Sequence, residues 1–147
     1  MSQNTRVLLS GGGTAGHVYP LFAVIGRLKQ RVPAAEFLYI GSPASIEERL
    51  VRRAGLSFAA VAAGPLLGKA PWTMAANSWQ LWRGYRQALS LLRKWRPTRC
   101  LVTGGFASVP VALAARRLDV PLLVYLPDLR PGLAIRFMRR WAEKVAV

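Results

Sequence analysis

Six short apolar runs recur along the chain, separated by longer amphipathic stretches, and this alternation constrains the fold more than any other feature. The runs are Arg6 to Ser10, Glu36 to Gly41, Ser57 to Ala62, Arg99 to Thr103, Pro121 to Tyr125 and Lys144 to Val147. Helix-like spacing fills the gaps, at about 20–31, 45–54, a long segment within 72–96, 108–118 and about 132–143. Runs this short are strands, and strands alternating with helices are the mark of βαβ units around a parallel sheet. The expected fold is therefore α/β, a parallel sheet of about six strands with helices on both faces. A chain of 147 residues, 52% of them hydrophobic, can bury one core, so residues 1–147 are expected to form a single domain.

Local signals punctuate the pattern. Ser45-Ile46-Glu47-Glu48 is a capping box, in which the Ser45 hydroxyl and the Glu48 carboxylate each satisfy a backbone N–H at a helix start, and Gly55 stops that helix. Pro110 is expected in the first turn of the fourth helix, where a missing N–H costs nothing, with Ser108 available as the cap.

Charge and composition narrow the chemistry. With 21 Lys and Arg against 6 Asp and Glu the net charge is +15, far beyond what solubility needs, which points to an anionic partner and to phosphate in particular. Cys100 and His17 are the only cysteine and histidine, so neither a disulfide framework, a thiolate cluster nor a His-based metal site is expected, and cytosolic exposure fits best. No run reaches the roughly 18 to 20 apolar residues of a membrane span, and the N-terminal run is too short for a signal peptide. The chain stops on Lys144-Val145-Ala146-Val147, in what reads as a strand without a polar tail, and a missing second half is expected.

The first motif is Ser10-Gly11-Gly12-Gly13-Thr14-Ala15-Gly16-His17, after a strand and before a helix. Glycines there let the backbone turn and present N–H groups where the helix dipole favours an anion, so Gly12, Gly13, Thr14, Ala15 and Gly16 are candidate diphosphate-binding residues. Gly11, Gly13 and Gly16 also satisfy GxGxxG, but the second strand ends Tyr39-Ile40-Gly41 without the acid a dinucleotide site requires, and Glu36 starts that strand instead. A P-loop would need Lys then Ser or Thr where His17-Val18 stands. A plain tight turn remains the alternative. His17, whose ordinary pKa lies near neutrality, is a candidate base beside that anion.

A second glycine turn, Thr103-Gly104-Gly105-Phe106-Ala107-Ser108, follows the fourth strand. In a doubly wound sheet two such turns can face one crevice and share a diphosphate, which adds Thr103, Gly104, Gly105, Phe106 and Ser108 as candidates. Ordinary strand-to-helix packing explains it equally. Third, no acid occurs between Glu48 and Asp119, while 12 Lys and Arg do, interleaved with Trp72, Trp79, Trp82, Tyr85 and Trp95. An amphipathic helix of this kind can lie in an anionic bilayer interface, and Trp72, Trp79, Trp82, Arg83, Tyr85 and Arg86 are the candidate membrane-associating residues. The alternative is a core face with a solvated basic face; no nucleic-acid reading motif is present. Fourth, Asp128, in Tyr125-Leu126-Pro127-Asp128-Leu129-Arg130-Pro131-Gly132, stands after the fifth strand as a second candidate base or as a helix cap.

Taken together, Gly11-Gly12-Gly13-Thr14-Ala15-Gly16-His17-Val18-Tyr19-Pro20, the second glycine turn with its helix, and Arg130-Pro131-Gly132-Leu133-Ala134-Ile135-Arg136 before the last strand resemble the N-terminal domain of the MurG-type glycosyltransferases of family 28, over essentially the whole chain. The resemblance implies one Rossmann-like half of a GT-B fold, binding a polyprenyl-diphosphate-linked acceptor and the membrane. The donor, a UDP-sugar such as UDP-GlcNAc, would bind a C-terminal domain absent from this chain. It implies an inverting transfer with no metal or nicotinamide cofactor, His17 or Asp128 as base, and a location on the inner face of the plasma membrane. Two departures stand out: Tyr125-Leu126-Pro127-Asp128 replaces the His-Glu-Gln-Asn signature, and Ala15 stands where glycine is usual. The alternative role is a stand-alone subunit that recruits a separate catalytic chain to the membrane.

Overall fold

A computed structural model of the chain describes residues 4–12, 15–64, 71–126 and 133–146, with the backbone alone at 71, 73, 74 and 133. Strands β1 (Arg6–Gly11), β2 (Glu36–Gly41), β3 (Ser57–Ala60), β4 (Arg99–Gly104), β5 (Leu122–Tyr125) and β6 (Lys144–Ala146) alternate with helices α1 (Ala15–Arg31), α2 (Ile46–Arg53), α3 (Pro71–Trp95), α4 (Ser108–Arg117) and α5 (Leu133–Met138). The strands form one sheet in the order β3-β2-β1-β4-β5-β6, every pair parallel. The expected doubly wound α/β architecture is the observed one.

Strand residues alternate between two cores because successive side chains leave opposite faces of a sheet. Val7, Leu9, Phe37 and Tyr39 meet Val18, Leu21 and Ile25 of α1 and Val51 of α2. On the other face Leu8, Ile40, Cys100, Val102 and Val124 meet α3, α4 and α5 through Leu92, Val109 and Ile135. The winding reverses between β1 and β4, which lie side by side. Their ladder slips there: Ser10 opposes Val102, but Gly11 opposes Gly104, so Thr103 is an extra residue on β4.

Several local expectations hold. The Ser45 hydroxyl accepts from the Glu48 amide at 3.2 Å, Oε2 of Glu48 accepts from the Ala44 amide at 2.8 Å, and Gly55 takes φ 72° just past α2. Others change. Helix α1 starts at Ala15, so Pro20 lies beyond the first turn, where its absent N–H leaves the Gly16 carbonyl without its intrahelical partner. Ala107, whose methyl cannot accept a hydrogen bond, occupies the cap position of α4, and Ser108 is the first helical residue, its hydroxyl donating to the Gly104 carbonyl at 2.7 Å. Helix α5 stops at Met138 instead of running on towards residue 143; the chain turns there, with the Trp141 amide donating to the Met138 carbonyl at 3.0 Å.

Candidate functional site

The reversal of winding puts both glycine turns at the carboxyl ends of adjacent strands, each leading into a helix N-terminus, α1 on one side and α4 on the other. The turns touch. The Gly12 amide donates to the Gly104 carbonyl at 3.1 Å, and a side chain on Gly105 would overlap the Gly12 backbone. Gly105 also holds φ 87°, a left-handed conformation natural only to glycine at this crossing.

Gly12 is the centre of the arrangement. Its carbonyl lies 2.9 Å from Nδ1 of His17, in the first turn of α1. A carbonyl can only accept, so Nδ1 carries the hydrogen, and in the neutral ring Nε2 holds the lone pair. A methyl on Gly104 would stand 3.7 Å from that Nε2, which places the basic nitrogen at the second turn. The His17 carbonyl in turn accepts from Oγ1 of Thr103 at 2.7 Å. The extra residue on β4 thus ties the imidazole-bearing turn of α1 to the neighbouring strand.

The predicted diphosphate residues sort by depth. Gly12 and Gly104 are buried, Ala15 and Gly105 half-buried, and Gly16 and Phe106 exposed. Thr103 and Ser108 are fully buried, and their hydroxyls are committed to the carbonyls of His17 and Gly104, so their side chains brace the turns from within. Gly13, Thr14 and Asp128 lie outside the described residues.

The basic aromatic segment divides between two faces of α3. Leu81, Ala88, Leu89 and Leu92 face the core that α3 shares with α4 and the sheet, joined by half-buried Tyr85 and Trp95, so Tyr85 belongs with the core face and not with the outer one. Trp72, Trp79 and Trp82 point outward at 75%, 61% and 49% exposure, far more than a core face would leave. Trp79 and Trp82 stack with ring centroids 5.0 Å apart, and the exposed Arg86 guanidinium lies 5.4 Å from the Trp82 ring, beside exposed Arg83. No helix among the described residues is long and apolar enough to cross a membrane.

Two residues that sequence reasoning did not place in the site stand behind it. Tyr39, fully buried, donates its hydroxyl hydrogen to the Gly11 carbonyl, and burial, with the nearby charge of Glu47, pushes its phenol well above the usual range. Glu47, only 3% exposed, lies behind Gly12. The signal for it was present: Glu47 and Val51 are one helical turn apart on the same face of α2, which puts an acid on the buried side. Glu36, by contrast, is at the far end of β2, ion-paired with Arg6 at 3.0 Å, and cannot serve the turns.

The model of the glycosyltransferase family 28 N-terminal domain matches residues 7–147. A UDP-N-acetylglucosamine–N-acetylmuramyl-(pentapeptide) pyrophosphoryl-undecaprenol N-acetylglucosamine transferase of Desulforudis audaxviator is 40% identical over 97% of this chain and 38% of its own length, and one of Bacillus pumilus is 32% identical over 97% and 39%. The chain thus spans about two fifths of the length of the curated relatives it matches. Among solved structures, MurG of Acinetobacter baumannii superposes with a TM-score of 0.82 at 21% identity, over 96% of this chain and 40% of that one, and the calicheamicin glycosyltransferase CalG4 with 0.62 at 19%, over 96% and 37%. Those likenesses show the fold, a half of the GT-B type. By the match of nearly its whole length to the N-terminal domain, the chain belongs to glycosyltransferase family 28.

Proposed function

We propose that this chain is the acceptor-binding, membrane-associating half of a transferase that moves N-acetylglucosamine from a UDP donor to a polyprenyl-diphosphate-linked sugar. The carrying observation is the hydrogen-bonded meeting of the two glycine turns at the β1–β4 reversal, with the N-termini of α1 and α4 directed at one crevice. The positive ends of two helix dipoles suit a diphosphate there. The relatives' names supply the acceptor class, pyrophosphoryl-undecaprenol, and the donor, whose site falls to the part of the relatives this chain does not span.

In this reading His17 is the base. Its Nδ1–H is anchored on Gly12, so Nε2 takes the proton of the acceptor hydroxyl as that oxygen bonds to the anomeric carbon. The bond from that carbon to the diphosphate of the donor breaks, and UDP leaves. No metal or nicotinamide takes part on this half. Asp128 is the competing base. The exposed tryptophans of α3 and their arginines hold the crevice at the membrane surface, where the acceptor's lipid tail is embedded.

The test is transfer of labelled N-acetylglucosamine from UDP-N-acetylglucosamine to a short-chain polyprenyl-diphosphate acceptor by the intact native polypeptide. His17→Ala is expected to lower kcat by about 10²- to 10⁴-fold, the usual worth of a positioned general base. Undiminished turnover removes His17 from the mechanism, and a folded wild-type enzyme that transfers nothing overturns the assignment.

A further inference from the structure

The groups behind the first turn include one that the proposed chemistry does not use. Glu47 opens α2 one residue before the capping Glu48, and its side chain runs between the carboxyl ends of β1 and β2. Two glycines face it. A methyl on Gly41 would stand 3.1 Å from its Cγ, and a methyl on Gly12 would stand 2.6 Å from its Oε1 and 3.3 Å from its Cδ. Both strand ends are therefore bare where this side chain passes, and the carboxylate reaches the same Gly12 whose carbonyl holds Nδ1 of His17. Tyr39 adds a second support from the sheet by donating to the Gly11 carbonyl. At 3% exposure Glu47 cannot itself meet a ligand. Its carboxylate is compatible with burial here because it sits in the first turn of a helix, where the dipole favours negative charge.

We propose that Glu47 is a positioning residue: its side chain fills the space behind Gly12 and so fixes the peptide that selects the Nδ1-protonated form of His17. Reach is the operative property. The turn contributes a carbonyl whose direction decides which imidazole nitrogen carries the hydrogen, and a Gly12 peptide with nothing behind it can rotate away. Glutamine has the same length and shape, while aspartate keeps the charge but falls short by one methylene.

The test uses the intact native chain labelled with ¹⁵N-histidine, the His17 signal being assigned by its loss in His17→Ala. Wild type and Glu47→Gln are expected to show the coupling pattern of an Nδ1-protonated ring. Glu47→Asp is expected to show at least half of the ring in the Nε2-protonated form, the one free imidazole prefers. A wild-type pattern in Glu47→Asp, or equal loss in Glu47→Gln, overturns the proposal. Should Glu47→Asp fail to fold, Gly12→Ala probes the same contact from the turn: loss of the Nδ1-protonated pattern supports the proposal and its retention overturns it. A merely structural residue would move the melting temperature and leave the tautomer alone.

The activity arm rests on the proposed acceptor role of the turns: kcat for transfer is expected to fall about tenfold in Glu47→Asp, a displaced base being costly, and to persist in Glu47→Gln. The spectroscopic arm needs no substrate. A transferase reading that fails leaves the tautomer result standing, and a failed tautomer result leaves the transferase reading untouched.

Discussion

Gly84, in the middle of α3, faces the carbonyl of Ala62 so closely that a methyl group at that position would overlap the oxygen. The Ala62 segment is itself held to the same helix, its amide donating to Oε1 of Gln87 at 2.7 Å. By propensity alone Gly84→Ala would stabilise a helix interior by about 1 kcal/mol. Here the obstacle is backbone, so the clash dominates, and urea unfolding is expected to show a net loss of about 1–3 kcal/mol. A stabilised variant would mean that α3 can draw away from the segment that follows β3 without loss.

Gly105→Ala should be worse. The substitution combines a left-handed φ of 87° with overlap on the Gly12 backbone, so strain and collision add. A loss of about 2 kcal/mol or more is expected in the same measurement. Gly26, on the open side of α1 with nothing near its missing side chain, is the control, and Gly26→Ala is expected to gain stability by about 1 kcal/mol.

The outward face of α3 makes a claim about lipid. Co-sedimentation with vesicles rich in anionic phospholipid is expected for the wild type, weakening as salt is raised because the arginines act through screened charge. Trp79→Ser with Trp82→Ser removes two large exposed rings and leaves the sheet-facing residues alone. Binding is expected to fall at least about tenfold, since each buried ring is worth more than 1.4 kcal/mol. Salt-independent binding, or none, counts against the membrane surface.

Cys100 is fully buried in β4, and burial pushes its thiol up to about 12. The thiolate is the reactive form, so native protein at pH 8 should resist an aromatic disulfide reagent for hours and react at once when unfolded. Rapid native labelling would show that β4 opens.

Glu48 gives the pH dependence a direction. Its hydrogen bond with Arg52, at 2.9 Å, and the Ala44 amide hold its carboxyl below the usual carboxylate range. A carboxyl depressed in the folded state contributes stability above its unfolded pKa and loses it as pH falls through the folded value. Between pH 7 and pH 3 the melting temperature of Glu48→Gln should therefore drop less than that of the wild type. Its partner Arg52 is exposed and the pair lies at the surface, so the difference will be small and should shrink further in high salt.

Much of this was legible beforehand for a physical reason. Apolar runs of strand length separated by helical spacing leave a parallel sheet as nearly the only way to bury both, and a glycine turn after a strand marks the site end of that sheet. Strand order was not legible, because nothing local tells β4 to pair with β1, and the contact between Gly12 and Gly104 depends wholly on that pairing. The division of α3 followed the same logic: composition identified the aromatic segment, but only the tertiary core, α4 included, decides that Tyr85 faces in while Trp82 faces out. The first helix was expected from about residue 20 but begins at Ala15, because helical spacing is hard to read through a glycine turn and a proline. Glu47 escaped notice because its neighbour Glu48 accounted for the capping box, and the space it occupies is left by two glycines, Gly41 at the end of β2 and Gly12 just past β1.

Thr103 has no counterpart on β1, and this single surplus residue sets how far the second turn reaches past the first. Removing it would restore an unbroken ladder but retract the second turn by one strand step, about 3.3 Å, carrying Gly105 out of contact with Gly12. The meeting of the two turns is thus counted out inside the sheet, at a buried position that substitutions along the exposed rim leave unchanged.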